Sequence, residues 1–412
     1  MSSRAFLTGC GAVSPFGVGV ETLWTALRAG RSAVAALRGI AVDGLDGVLA
    51  AEVPPAAVAD DARERIDRFA AAAAHEALRD AGLRLADCDL TRVAVVVGTS
   101  LGAMPIGERY LRARHAGTPF AARRLLGHPY AATATTLARA LGTRGPVLSP
   151  SIACASGTQA IGLARELIAH DHADVVVAGG AEALCEFVLA GFACLRATTA
   201  TAVRPFDARR DGLALGEGAA LLVIESETHA RRRGAPPQAE IAGSGLSSDA
   251  VHMTAPARDG AGAARAMRAA LADADLAADA VDVVSAHGTA TVFNDAMEMA
   301  ALDAVFGAAR RVPVSGIKGA IGHTLAAAGA FEAILCARIL RDGVVPPTAG
   351  CEEIDPACRL DIVRGTVRRI AARVVLSTSS AFAGNNAALV LRAVEPLPQP
   401  GRRPRGRKSS TP

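Results

Sequence analysis

Aromatic residues are scarce, at 3% of the 412-residue chain. A core must therefore be built from Ala, Val, Leu and Ile, and with hydrophobic residues at 51% there are enough for a large one. Excess charge is lacking too: the formal net charge is +4, too small to imply nucleic-acid binding. The eight cysteines, at 10, 88, 154, 185, 194, 336, 351 and 358, form no Cys-x-x-Cys pair, and no histidine cluster accompanies them at zinc spacing. A chain of this length can dispense with disulfide staples, so a reducing cytosol is the expected compartment. No run of about 18 apolar residues is free of charge and glycine, so no membrane span is expected. Met1–Leu7 lacks the apolar core of a signal peptide. These absences leave a soluble, cytoplasmic protein. At roughly 150 residues per domain, its length suits two or three domains or two fused halves.

Strand and helix patterns alternate along the chain. Residues 4–17 read as a strand and a glycine-rich turn, and 20–29 as a helix. Residues 61–81 are strongly helical, with Ile66, Phe69, Ala70, Ala73 and Leu78 on one face. Arg63, Arg65 and Arg68 stand in the first turn, as a solvated face or a docking patch. Residues 92–98 and 174–180 are continuous apolar runs of the kind buried on both faces of a sheet. The basic, Pro-rich stretch 226–240 marks a boundary, which divides the chain into halves 1–236 and 237–395. The second half repeats the pattern, with helices at 261–274, 295–306 and 326–340 and strands at 281–286, 312–315, 374–380 and 387–393. This alternation predicts an α/β fold with a largely parallel sheet. Residues 396–412, rich in Pro and Arg, are expected to be a disordered basic tail.

Three loops that follow strands carry reactive groups. Ala153-Cys154-Ala155-Ser156-Gly157 places a cysteine among small residues just before a helical pattern. At a helix N-terminus the free N–H groups favour a thiolate, which lowers the pKa and makes a better nucleophile. Taken alone, that segment fits a buried packing cysteine better. His287 lies in Ala286-His287-Gly288-Thr289-Ala290-Thr291, and His323 ends Lys318-Gly319-Ala320-Ile321-Gly322-His323. One cysteine and two histidines could also ligate zinc, but they lack the close pair common in structural sites.

Together these segments resemble the three motifs of the condensing enzymes, most of all the β-ketoacyl-[acyl carrier protein] synthase II and type II polyketide ketosynthase group. Arg204-Pro205-Phe206-Asp207, Asp211-Gly212, Gly216-Glu217-Gly218 and Phe382 within 381–386 fit the same pattern in order, over about residues 4–394. The resemblance implies a thiolase-like fold, with two related halves in αβαβα layers. It implies a homodimer, or a heterodimer with a chain-length-factor-like subunit, and acyl carrier protein as partner. It needs no metal or redox cofactor. Cys154 would carry the acyl group, and His287 and His323 would stabilise an enolate. Lys318, paired with Glu332, would hold the histidines in register. Backbone N–H groups of Cys154 and Phe382 would form an oxyanion hole, with Phe382 as gate. Leu101 and Phe192 would line the acyl pocket, and Arg63, Arg65 and Arg196 would meet the carrier protein. The gate departs from the usual Gly-Phe-Gly-Gly-Thr-Asn: it reads Ala381-Phe382-Ala383-Gly384-Asn385-Asn386. The connection from Arg196 to Arg204 is also short. Both hint at specialised metabolism, with fatty-acid elongation left open. A chain-length factor would lack the nucleophile that is present here. A ketoacyl synthase III would use a Cys-His-Asn set, which the second histidine argues against.

Overall fold

The computed structural model describes residues 3–394, apart from 41, 43, 45, 46, 62 and 308–310. The expected tail at 396–412 lies outside the described residues.

One large sheet runs through the molecule. Its strand order is Asp361–Ile362, Pro313–Ser315, Val283–Ser285, Val374–Ala381, Asn385–Arg392, Ala239–Ser248, Ala5–Ser14, Gly218–Ser226, Val175–Glu182, Val93–Gly98 and Val147–Leu148. Ala5–Ser14 and Ala239–Ser248 join edge to edge through Phe6–Glu240 and Leu7–Ala239. Outward from that seam, the first five strands of each half follow one chain order: first, fifth, fourth, second, third. Directions match as well: the two inner pairings of each half are antiparallel and the next two parallel. The two halves are therefore repeats of one unit.

The sheet is mixed, not largely parallel as its alternation suggested. A continuous apolar strand need not be parallel. Gly218–Ser226 is buried at every position, yet antiparallel to both neighbours. Val374–Ala381 and Asn385–Arg392 are joined by the tight turn Phe382–Gly384, which only an antiparallel pair permits.

The layers follow from two-residue periodicity in the strands. Val176, Ala178, Leu222 and Ile224 of the first half, and Val375, Leu389 and Leu391 of the second, face inward. Between them lie the helices Ser156–Ala169 and Ala328–Asp342, through Ala160, Ile161, Ala164, Phe331 and Ile334. The alternate residues Val175, Val177, Leu221 and Val223 face outward onto helix Arg65–Asp80. Leu376 and Val390 do the same against helix Ala261–Asp273. The result is αβαβα, with a small-residue helix pair at the centre.

Local departures have clear causes. The strand read over Ala5–Gly9 runs on to Ser14, through the start of the glycine-rich turn expected at Gly11–Gly17, and the chain turns only at Pro15 and Phe16. Gly9 and Gly11 serve close packing instead: a Cβ on either would run into the backbone of helix Arg65–Asp80. That helix begins at Arg65, not 61, because the Asp61 carboxylate accepts from Arg63 N at 2.9 Å and closes a turn first. Helices Met104–His115 and Glu186–Cys194 carried no clear period. In the second of these, EFVLAGFAC is apolar nearly all round. Among the described residues, no helix is long and apolar enough to cross a membrane.

Candidate active site

Cys154 sits in the turn that opens helix Ser156–Ala169. Ala153, just before it, is held at φ 52°, a region that costs a non-glycine residue about 1–2 kcal/mol. Ser156 stabilises the turn: its Oγ accepts from Ile152 N at 2.9 Å and donates to Ala153 O at 2.6 Å. Gly157 lets the helix start come close to the second half, since a Cβ there would strike Ala326 O, three residues after His323. Ala290, Leu325 and Ala383, in the loops of the other functional groups, also have positive φ. Strain thus gathers where these loops meet.

His287 follows the short strand Val283–Ser285. Its N–H and that of Gly288 donate to the two oxygens of Glu298, at 2.7 and 2.8 Å, and Thr378 Oγ1 donates to the same carboxylate at 2.7 Å. His323 is pinned to the Gly-rich loop: His323 N donates to Ala214 O at 2.7 Å, and Gly216 N to His323 O at 2.9 Å. The two imidazoles meet edge to face with centroids 5.3 Å apart.

Lys318 is 1% exposed, and its ammonium has three donors and three partners. Nζ lies 2.5 Å from Glu332 Oε1, 2.5 Å from His287 O and 3.2 Å from His287 Nδ1. A donor facing Nδ1 leaves the His287 proton on Nε2. Glu332 continues the network: Ser379 Oγ lies 3.4 Å from its Oε2 and 2.7 Å from Thr158 Oγ1, on the cysteine helix. Hydrogen bonds thus tie the lysine to the helix that Cys154 opens.

Burial, and then the Lys318 charge, hold both imidazoles well below the usual histidine value, so they are neutral. Burial also pushes the Cys154 thiol up to about 12, and the Lys318 charge offsets only part of this. The lowered thiol pKa expected at a helix start is thus overturned: at 6% exposure, loss of water outweighs the helix terminus. At rest Cys154 is a thiol.

Cys154, His287, His323 and Phe382 line one cavity of about 310 Å³. Phe382 stacks on Phe192 with centroids 5.3 Å apart. Leu101 belongs to the apolar cluster around Cys154, with Leu184, Leu189 and Phe192. The three arginines part company. Arg196 is exposed at the cavity wall. Arg63 is exposed and paired with Asp61 at 2.5 Å. Arg65 turns inward, to Glu217 at 2.5 Å and Val53 O at 2.7 Å.

Three supporting carboxylates escaped the sequence reading. Glu298 and Asp295, which accepts from Phe206 N and Ala290 N, stand three apart on helix Val292–Phe306. Two acidic residues at that spacing on a largely apolar helix were the available signal. Glu182, fully buried, accepts from Thr99 Oγ1 at 2.9 Å and from Ser100 N at 2.8 Å, and burial raises it to about 7. Among the described residues, no group of three or more His, Cys, Asp or Glu is placed to hold a metal ion.

Residues 3–230 match the family described as beta-ketoacyl synthase, N-terminal domain, and residues 238–352 match beta-ketoacyl synthase, C-terminal domain. Nodulation protein E of Rhizobium meliloti (strain 1021) is 39% identical over 406 residues, covering 96% of this chain and 100% of that protein. The 3-oxoacyl-[acyl-carrier-protein] synthase 2 of the same strain is 39% identical over 420 residues, covering 94% and 98%. The solved ishigamide ketosynthase/chain length factor superposes with a TM-score of 0.90 at 36% identity, covering 96% of this chain and 100% of that one.

Proposed function

The chain belongs to the β-ketoacyl synthase family, as an acyltransferase-class condensing enzyme, and on that premise we propose how its residues divide the reaction. Cys154 Sγ attacks the thioester carbonyl of an acyl group on a carrier protein. The carrier sulfur leaves with the proton that Cys154 gives up, and an acyl-Cys154 thioester remains. A malonyl thioester then enters the same cavity and loses CO2. The electron pair of the broken C–C bond moves into an enolate, whose oxygen takes hydrogen bonds from the neutral imidazoles. His287 donates from Nε2, because Lys318 occupies its Nδ1 side. The enolate carbon attacks the acyl carbonyl, while backbone N–H groups of Cys154 and Phe382 hold the developing oxyanion. Collapse expels the Cys154 thiolate and leaves a β-ketoacyl thioester on the carrier.

The observation that carries this reading is the shared cavity: a thiol from one half and two neutral imidazoles from the other. Neutral donors suit an oxygen that gains charge only during reaction. The intact set also speaks against a chain-length factor, which lacks the nucleophile.

Acyl carrier protein is the proposed partner, as the name of the 3-oxoacyl-[acyl-carrier-protein] synthase 2 relative suggests, with Arg196 and Arg63 offered to it at the surface. A second subunit, identical or chain-length-factor-like, would extend the sheet. The end strand Val147–Leu148 is exposed and has no outer neighbour among the described residues. A specialised product is favoured by the likeness to nodulation and ketosynthase/chain length factor proteins and by the altered gate.

Mass spectrometry after incubation with acyl-carrier protein tests the reading. An acyl adduct on Cys154, absent in Cys154→Ala, is expected. No adduct, or one that persists in that variant, would reject it.

A further inference from the structure

A second sulfur–imidazole–carboxylate array lies outside the condensation site. Cys88 Sγ is 3.9 Å from His229 Nε2, and His229 Nδ1 is 2.6 Å from Glu225 Oε2. Glu225 is fully buried, and burial would raise it. Bonds from Arg233, His229 and Thr8 outweigh that and bring its carboxyl down to about 2, so it is ionised. A carboxylate at Nδ1 keeps a proton there and turns the Nε2 lone pair toward the sulfur. Arg84 O, 3.8 Å from the sulfur, is the alternative acceptor for the thiol proton. The half-buried Cys88 opens onto a cavity of about 290 Å³, whose wall also holds His229, Asp89, Asp174, Arg92 and Arg232. Cys88 lies ahead of strand Val93–Gly98, and the far end of that strand abuts Ser156 of the catalytic turn. That strand spans about 16 Å.

We propose that Cys88, with His229 as proton acceptor and Glu225 as its orienter, is a reactive thiol that exchanges with small zwitterionic disulfides seated in this cavity. The thiol proton passes to His229 Nε2 as the sulfur attacks one sulfur of the disulfide. The old S–S bond breaks, a new one forms to Cys88, and the leaving thiolate takes the proton back from His229. No other oxidant is needed. On the wall Arg92 and Asp174 pair with each other at 3.2 Å, so Arg232 and Asp89 are the cation and anion offered to a ligand that carries both carboxylate and ammonium groups. Burial, and then the Glu225 charge, raise the Cys88 thiol. It therefore rests protonated, and reaction depends on the imidazole.

The test uses the full chain with glutathione disulfide and peptide mapping by mass spectrometry. Cys194, an exposed free thiol, serves as internal reference. The mixed disulfide should form faster on Cys88 than on Cys194. His229→Gln should slow Cys88 by about a hundredfold while leaving Cys194 unchanged. Cys88→Ser should remove the adduct and leave condensation intact. A Cys88 rate no greater than that of Cys194 in the unaltered chain overturns the proposal whether or not the histidine variant folds. So does a Cys88 rate indifferent to His229.

Discussion

Replacing Lys318 by Met separates what the lysine does for the fold from what it does for the histidines. The substitution removes three N–H donors and strands Glu332, which is fully buried. Breaking one side of a buried ion pair costs about 3–5 kcal/mol, because the remaining charge loses its partner. For halves of this size that lowers the melting temperature by on the order of 10 °C. Glu332 can escape by taking up a proton, and burial already raises its pKa even beside Lys318. An acid whose folded pKa is raised is tolerated while protonated and destabilises the fold as pH rises. The deficit in Lys318→Met should therefore grow as pH rises above the ordinary carboxylate range. Lys318→Met/Glu332→Met removes the stranded charge and should recover most of the stability. Neither variant has a donor to fix the His287 tautomer, so both should lose up to about 10²–10³-fold in CO2 release from malonyl-carrier protein. Thermal unfolding and CO2 release are the two readouts. A double variant that regains decarboxylation along with stability would refute the assigned role. A single variant within about 1 kcal/mol of the parent would refute the burial argument.

Further substitutions probe the same site. His323→Ala should still acquire the acyl group on Cys154 but lose about 10²–10³-fold in malonyl decarboxylation, and undiminished CO2 release would remove it from the mechanism. Because the Cys154 thiol stands at about 12, its alkylation by iodoacetamide should climb about tenfold per pH unit between about 7 and 10. A plateau near neutrality, read from the same rate profile, would mean a preformed thiolate. Gly157→Ala should cost about 1–3 kcal/mol and slow condensation by moving the helix off Ala326, as denaturation and product assays would report. Arg196→Glu should leave stability unchanged and raise KM for carrier-bound substrate, most at low salt.

The reactive groups were legible because each stands in a short loop of small residues after an apolar strand, a pattern that survives without knowledge of the third dimension. Strand direction was not. Gly218–Ser226 is buried on both faces, so it carries no alternation to separate it from a parallel strand. The protonation state of Cys154 was misjudged because a helix start can be read in sequence, whereas the depth of burial that opposes it cannot. Arg65 and Arg63 look alike in sequence. Only the fold places Glu217, 152 residues away, beneath the first. Asp295, Glu298 and Glu182 hold loops rather than substrate, and their purpose emerges only once the backbone N–H groups they accept from are seen.

The helix that begins beside Cys154 is sandwiched with Ala328–Asp342, a segment about 170 residues farther along. On a ribosome that adds about 5–20 residues per second, its partner emerges roughly 10–35 seconds later. Throughout that interval Ile161, Ala164 and Ile168 lack part of their eventual cover, so the nascent first half presents an oily ridge to the cell. Chaperone dependence during translation, and aggregation when the second half is truncated, are the expected consequences in a chain whose Cys154 is synthesised well before the residues that shelter it.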